Sequence, residues 1–228
     1  MSPDESVPAA EQNPYAAPSE RLDGFTFSPP QPPSEPVVPP WEARGPIIRR
    51  YLDTFRMIAT RTDYAFVHMQ PENLLAGFTY AAVSTGITVF AATLLEIMML
   101  DQALDTEVAL AVALGIPVLW SGYLAGIVAL GLIQHFGMCC LGKPRYPMSA
   151  TIKAVFYAHS TANLFGLIPF LGRFITAWLA IYLTGLGTAK MQGLKTWKGV
   201  VTAMVGFAVL VMVVLIMLTQ LDIPLSDL

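Results

Sequence analysis

Beyond Leu74 the chain runs through five long apolar stretches, at about 74–95, 108–132, 152–169, 172–189 and 200–218. A bilayer core of about 30 Å asks for about 20 residues of helix per crossing, so each stretch has the length of a transmembrane span. The third and fourth are the shortest, 18 residues each, which at about 1.5 Å per residue gives about 27 Å. They meet through Pro169, Phe170, Leu171 and Gly172. Two full crossings are expected there, with a re-entrant hairpin as the alternative. Composition agrees with a membrane class: 54% of residues are hydrophobic and 13% charged, against about 25% charged in soluble domains.

The amino-terminal part is of a different kind. Eleven prolines fall within the first 40 residues, and that stretch holds too little apolar side chain to offset the entropy of ordering it. Residues 1–40 are therefore expected to be a disordered tail, with polyproline II runs such as Ser28–Pro40 serving as a tether or as a ligand for an aromatic groove. Met1–Tyr15 carries Asp4, Glu5 and Glu11 and has no apolar run, so insertion is expected to rely on an internal span rather than a secretory leader.

Residues 41–73 form a juxtamembrane segment. Within Pro46–Met69, Ile48, Tyr51, Leu52, Phe55 and Ile58 recur at helical spacing, with Arg49, Arg50, Asp53 and Arg56 on the other side. This predicts an amphipathic helix whose basic face, Arg49, Arg50 and Arg56, meets anionic headgroups, or one that packs on the protein's own loops. Tyr64, Phe66 and His68 then supply aromatic groups suited to headgroup depth.

Lysine and arginine are retained on the cytoplasmic side of a membrane. Basic residues precede span one (Arg44 to Arg61), separate spans two and three (Lys143, Arg145, Lys153) and separate spans four and five (Lys190, Lys195, Lys198). The opposite side offers Arg173 among acidic groups such as Asp101, Asp105 and Glu107. The expected topology has a cytoplasmic amino terminus, five crossings and a short extracytoplasmic tail over 219–228.

Several features together resemble the YIP (Yip-one) family of multi-pass membrane proteins, in particular its bacterial members. They are Pro40-Trp41-Glu42 after a Pro-rich tail, the Thr54–Met69 segment with Phe66 ahead of span one, and the order Tyr157, Pro169, Gly172, Trp178, Gly185. The resemblance covers roughly Pro40–Leu218. It implies a cytosolic amino terminus, five helices, a place in the bacterial inner membrane and a role in membrane organisation or trafficking. A GTPase-binding adaptor is a further expectation resting on that analogy alone.

Polar groups inside the apolar half are few, and such groups are functional candidates by default. His159, Ser160, Thr161 and Asn163 are the densest cluster, with His159 and Asn163 on one helical face. They could line a solute or proton path, or bond to neighbouring helices. Glu96 ends span one, where a solvated carboxylate or an ion ligand are the two readings. Gly122 and Gly126, a GxxxG step, mark a helix-contact face within one chain or between copies, and Gly77 with Ala81 and Ala82 with Gly86 read the same way. His135 and Cys139 sit four apart on one face, but two or three ligands do not close a zinc site.

No phosphate loop, HExxH or GxSxG motif occurs, and a net charge of -3 without a basic tract gives no footprint for nucleic acid. The expectation is an all-α integral membrane protein that is not an enzyme and needs no metal or other cofactor. Its partners would be the lipid bilayer, a cytoplasmic protein held by the tail, and further copies of itself. The competing expectation is a small-solute or ion transporter component built on the span-three cluster.

Overall fold

In the computed structural model, residues 38–99, 106–168 and 172–220 are described. The expected tail up to residue 37, the side chains of Glu96, Glu107 and Arg173, the loop with Asp101 and Asp105, Pro169, and residues 221–228 lie outside the described residues.

Every regular element among the described residues is helical. A one-turn 3₁₀ helix, Pro40–Glu42, leads to α1 (Ile47–Thr60) and α2 (Thr62–His68). Five longer helices follow: α3 (Leu74–Met99), α4 (Thr106–Leu141), α5 (Met148–Asn163), α6 (Gly172–Met191) and α7 (Thr196–Gln220). Three stretches are long and apolar enough to cross a membrane, namely Leu74–Leu95, Val112–Leu141 and Thr196–Met217. The described residues are thus all-helical, with three candidate membrane-spanning helices, as suits a membrane protein.

Several boundaries differ from the sequence expectation for identifiable reasons. The amphipathic segment breaks at Arg61, which leaves helical geometry at φ -135° and ψ 45°, while the Thr62 hydroxyl donates to Ile58 O (2.6 Å). The break turns Phe66 inward against Gly187 of α6, fully buried instead of at headgroup depth. Helix α4 continues nine residues past its expected end at 132, because the polar Gln134 there is buried and donates to the Thr188 hydroxyl (2.7 Å). The third apolar run is not one helix: α5 ends at Asn163 and a 3₁₀ turn, Leu164–Leu167, follows.

Helix α5 is the hub, packed by α1, α3, α4 and α6 and buried from Ala150 to Asn163 around its whole circumference. That is why its sequence carries no clean polar face. Helix α7 lies on α4 and α6, and α2 lies on α6. The α6–α7 crossing is unusually close: a Cβ added at Gly199 would stand 2.1 Å from Gly185 O. Only the absence of a side chain at both positions lets the backbones meet.

The bundle has two levels. Where α5 ends, the Tyr123 hydroxyl of α4 donates to Asn163 Oδ1 (2.7 Å), and Trp120 Nε1 donates to Ala82 O of α3 (2.9 Å). Below this height, the amino-terminal 3₁₀ turn and helices α1 to α6 share two apolar cores around Tyr80, Tyr157 and Phe66, and around Ile127, Leu130 and Val155, with Phe207 of α7 packed against both. Above it, α3 and α4 continue with apolar side chains exposed, such as Ile87, Phe90, Leu114 and Val118. Such a surface suits hydrocarbon, not water.

Candidate functional site

The most concentrated chemistry lies where the amino-terminal 3₁₀ turn docks. Pro40 opens the turn, its fixed φ suiting a first helical position, and Trp41 drops into the bundle with 6% of its surface exposed. Its backbone N–H donates to Thr54 Oγ1 (2.7 Å) and its indole N–H to Thr79 Oγ1 (3.1 Å). Tyr51 and Tyr80 meet the indole edge-on at 6.1 and 5.8 Å between centroids. Tyr157 continues the stack 5.1 Å beyond Tyr80.

Beside the tryptophan, Glu42 is buried against Lys153 of α5, with side-chain exposures of 5% and 0% and an N···O distance of 2.8 Å. The ammonium uses its three donors fully, on Glu42, on Gln70 O (2.9 Å) and on Glu72 O. The carboxylate also accepts from the Tyr157 hydroxyl (2.9 Å) and from Asn73 Nδ2 (3.4 Å). A buried ion pair is tolerated when its remaining hydrogen-bonding capacity is met, as it is here. One lysine therefore clamps two separate segments, the 3₁₀ turn and the α2–α3 connection, onto α5.

The expected basic face of α1 is divided by this docking. Arg50 is a correction to it: its guanidinium donates to Trp41 O and stands 5.3 Å from the indole centroid. Packing against an aromatic face and a carbonyl draws it inward, away from any headgroup. Arg49, paired with Asp53 at 3.6 Å, and Arg56 do face outward and are exposed. Burial pushes the Tyr51 hydroxyl above its ordinary pKa, its hydrogen bond with Ser84 opposing in part, so it stays a neutral donor to Ser84 Oγ (3.0 Å).

The span-three cluster divides as well. His159 and Asn163 converge on Tyr123, at 3.1 Å from His159 Nε2 and 2.7 Å from Asn163 Oδ1. Because the single hydroxyl proton goes to Asn163, the imidazole must donate from Nε2. Thr161 points the other way, to the Tyr80 hydroxyl at 3.2 Å. His159 Nδ1, Ser160 Oγ and Asn163 Nδ2 are buried without a hydrogen-bonding partner, and the His159 ring lies 5.6 Å from that of Phe207 of α7. Replacing Tyr123 by phenylalanine is expected to strand two more polar atoms and to cost about 1–3 kcal/mol. Thermal unfolding in detergent measures it, and an unchanged midpoint would mean these bonds contribute nothing.

Gly122 and Gly126 do not form a contact face within the chain, since a Cβ at either would meet nothing within 4 Å. The glycines that do let helices approach are Gly185 and Gly199, with Gly131 facing Ile152 and Gly137 facing Thr202. Gly77 packs on Lys153 and Tyr157, and Gly86 on Trp120, as their spacing suggests. His135 Nδ1 lies 2.8 Å from Thr151 Oγ1, while Cys139 and Cys140 are exposed thiols. Among the described residues no group of three His, Cys, Asp or Glu side chains comes together.

Sequence reasoning reads Glu42 only as part of a motif and Lys153 only as a topological marker. The signal was present: Lys153 stands five residues into a helix with no other Lys, Arg, Asp or Glu, and such a charge must find a buried partner. Compared with known proteins, the chain matches no family model, no curated protein and no solved structure.

Proposed function

We propose that the protein is a non-enzymatic membrane-organising scaffold of Yip type, which presents its amino-terminal tail from a rigid transmembrane body. The observation that carries this reading is the seat of Trp41 and Glu42. A tail attached there is held by an aromatic stack and a buried ion pair, so force or recruitment at the tail is transmitted to the bundle. The distribution of basic residues supports a cytoplasmic amino terminus and an extracytoplasmic carboxyl terminus, as in a bacterial inner membrane.

Five crossings are the expectation from apolar segments, and α5 with α6 would supply two of them. The geometry favours the alternative, a pair that enters and returns on one side. Helix α5 has 16 residues, about 24 Å long, and it ends level with Tyr123 and Ala82, well short of the far ends of α3 and α4. Both arrangements leave the termini on opposite sides.

Cross-linking in native membranes tests the scaffold reading. The full chain should capture a protein partner that a version lacking Met1–Pro39 does not; the truncation retains Trp41 and Glu42 and removes the Pro39 carbonyl that accepts from Glu42 N–H (2.8 Å). Recovery of only lipid or further copies with both versions would remove the role of the tail. The unpartnered atoms of His159, Ser160 and Asn163 favour a second reading, a solute or ion pathway. Flux in proteoliposomes that disappears in His159→Ala/Asn163→Ala would establish it.

A further inference from the structure

Helix α1 stands deeper than a surface helix would. The Tyr51 hydroxyl bonds to Ser84 (3.0 Å), Thr54 holds Trp41, which reaches Thr79, and Phe55 stacks on Phe165 just beyond the end of α5, at 5.7 Å between centroids. These contacts set the middle of α1 beside residues 79–84 of α3. Ser84 lies about ten residues into the apolar run that starts at Leu74, which is about 15 Å or half of the roughly 30 Å hydrocarbon core.

The outward side of α1 at this depth is charged. Arg49 and Asp53 expose 82% and 52% of their side chains, and Arg56 is exposed as well. Next to this strip, Ile48 and Leu52 are also exposed, at 72% and 55%. An apolar edge beside a basic edge is the pattern of a helix lying at the boundary between acyl chains and headgroups. Yet on α3 itself Val83, beside Ser84, is exposed, as are Leu75 and Phe78 about 9–13 Å nearer its amino-terminal end, an apolar surface that suits hydrocarbon.

Charged groups do not remain in hydrocarbon when headgroups and water can come to them. We propose that anionic phospholipid headgroups of the leaflet around the amino-terminal end of α3 are drawn inward along α1, to about the height of Ser84, so that this leaflet is thinned on one flank of the protein only. The occupant is assigned by charge: Arg44, Arg49, Arg56 and Arg61 are all exposed on or beside α1 and outnumber the exposed acids Asp53, Asp63 and Glu72, of which Asp53 is paired with Arg49 and Asp63 with Lys190. This surplus attracts anionic lipid. The proposal gives the membrane-organising reading its physical means, yet its geometry holds without the tail or any protein partner.

The test uses the full chain with Cys139 and Cys140 replaced by serine and one nitroxide-labelled cysteine in turn at Arg49, Arg56 and Val83. It is reconstituted in vesicles of dioleoyl phosphatidylcholine and phosphatidylglycerol at about three to one. Labels at 49 and 56 should be reached by a water-soluble nickel chelate and little by oxygen, and the label at 83 should show the reverse although it shares their height. A headgroup-labelled phosphatidylglycerol should relax the label at 49 more than headgroup-labelled phosphatidylcholine does. Oxygen-dominated readings at 49 and 56 would overturn the proposal, as would shielding from both reagents, which would mean that a second copy covers the flank. Equal relaxation by the two lipids would overturn the anionic assignment. Gel filtration of each variant confirms that the bundle has folded, and the tail-dependent capture experiment reads an independent outcome.

Discussion

Replacing Lys153 by methionine is expected to lower stability by about 3–5 kcal/mol, the range found when one partner of a buried ion pair is removed. The cost arises because Glu42 stays buried with only Tyr157 and Asn73 to stabilise its charge. Glu42→Gln should be costly for the complementary reason, leaving the ammonium with the carbonyls of Gln70 and Glu72. The double variant Glu42→Gln/Lys153→Met should lose much less than the sum of the two, since a buried pair exchanged for uncharged groups is often close to neutral. Unfolding midpoints of the four proteins in one detergent complete the cycle. Strict additivity would show that the two residues stabilise the fold independently, and the clamp would then have no basis.

Gly199→Val is expected to abolish the folded bundle. Overpacking ordinarily costs about 1–3 kcal/mol because side chains can yield, but the atoms in the way here are backbone. A Cβ at 199 would stand 2.1 Å from Gly185 O, and one at 185 would stand 2.6 Å from Val200 Cα. Relief requires α6 and α7 to separate along their contact. Gly122→Val, with nothing within 4 Å, is expected to change stability by no more than about 0.5 kcal/mol. Size-exclusion profiles of fluorescent fusions distinguish the two, and a monodisperse Gly199→Val at normal yield would contradict the crossing.

These two sites show where sequence reading succeeds and where it stops. The long apolar helices are legible because length and hydropathy are properties of contiguous residues, and Leu74, Gly172 and the α7 region are found close to their expected places. The clamp joins residues far apart in sequence, so nothing in the local pattern around Lys153 names Glu42. Periodicity assigns Arg50 to the outer face correctly for an isolated helix, and the docking of Trp41 then recruits it. The GxxxG rule finds Gly122 and Gly126 by spacing on one helix. The close crossing instead uses Gly185 of α6 and Gly199 of α7 with Ala189 beside them; each glycine is followed four residues on by an alanine, Ala189 and Ala203, a step that a strict GxxxG search passes over. His159 and Asn163 are paired as their shared face suggests, but the tyrosine that joins them comes from α4.

The Glu42 clamp also bears on how the chain is made. Tyr157, one of the groups that holds the carboxylate, follows it by 115 residues. At a synthesis rate of about 5–20 residues per second, the Pro-Trp-Glu segment waits roughly 6–23 s before its seat exists. During that interval two spans, α3 and α4, are already being inserted, while Trp41 and the acid beside it have no partner on α5. The amino-terminal segment is thus translated first and fixed late, which makes its docking a checkpoint on whether the central helix has arrived.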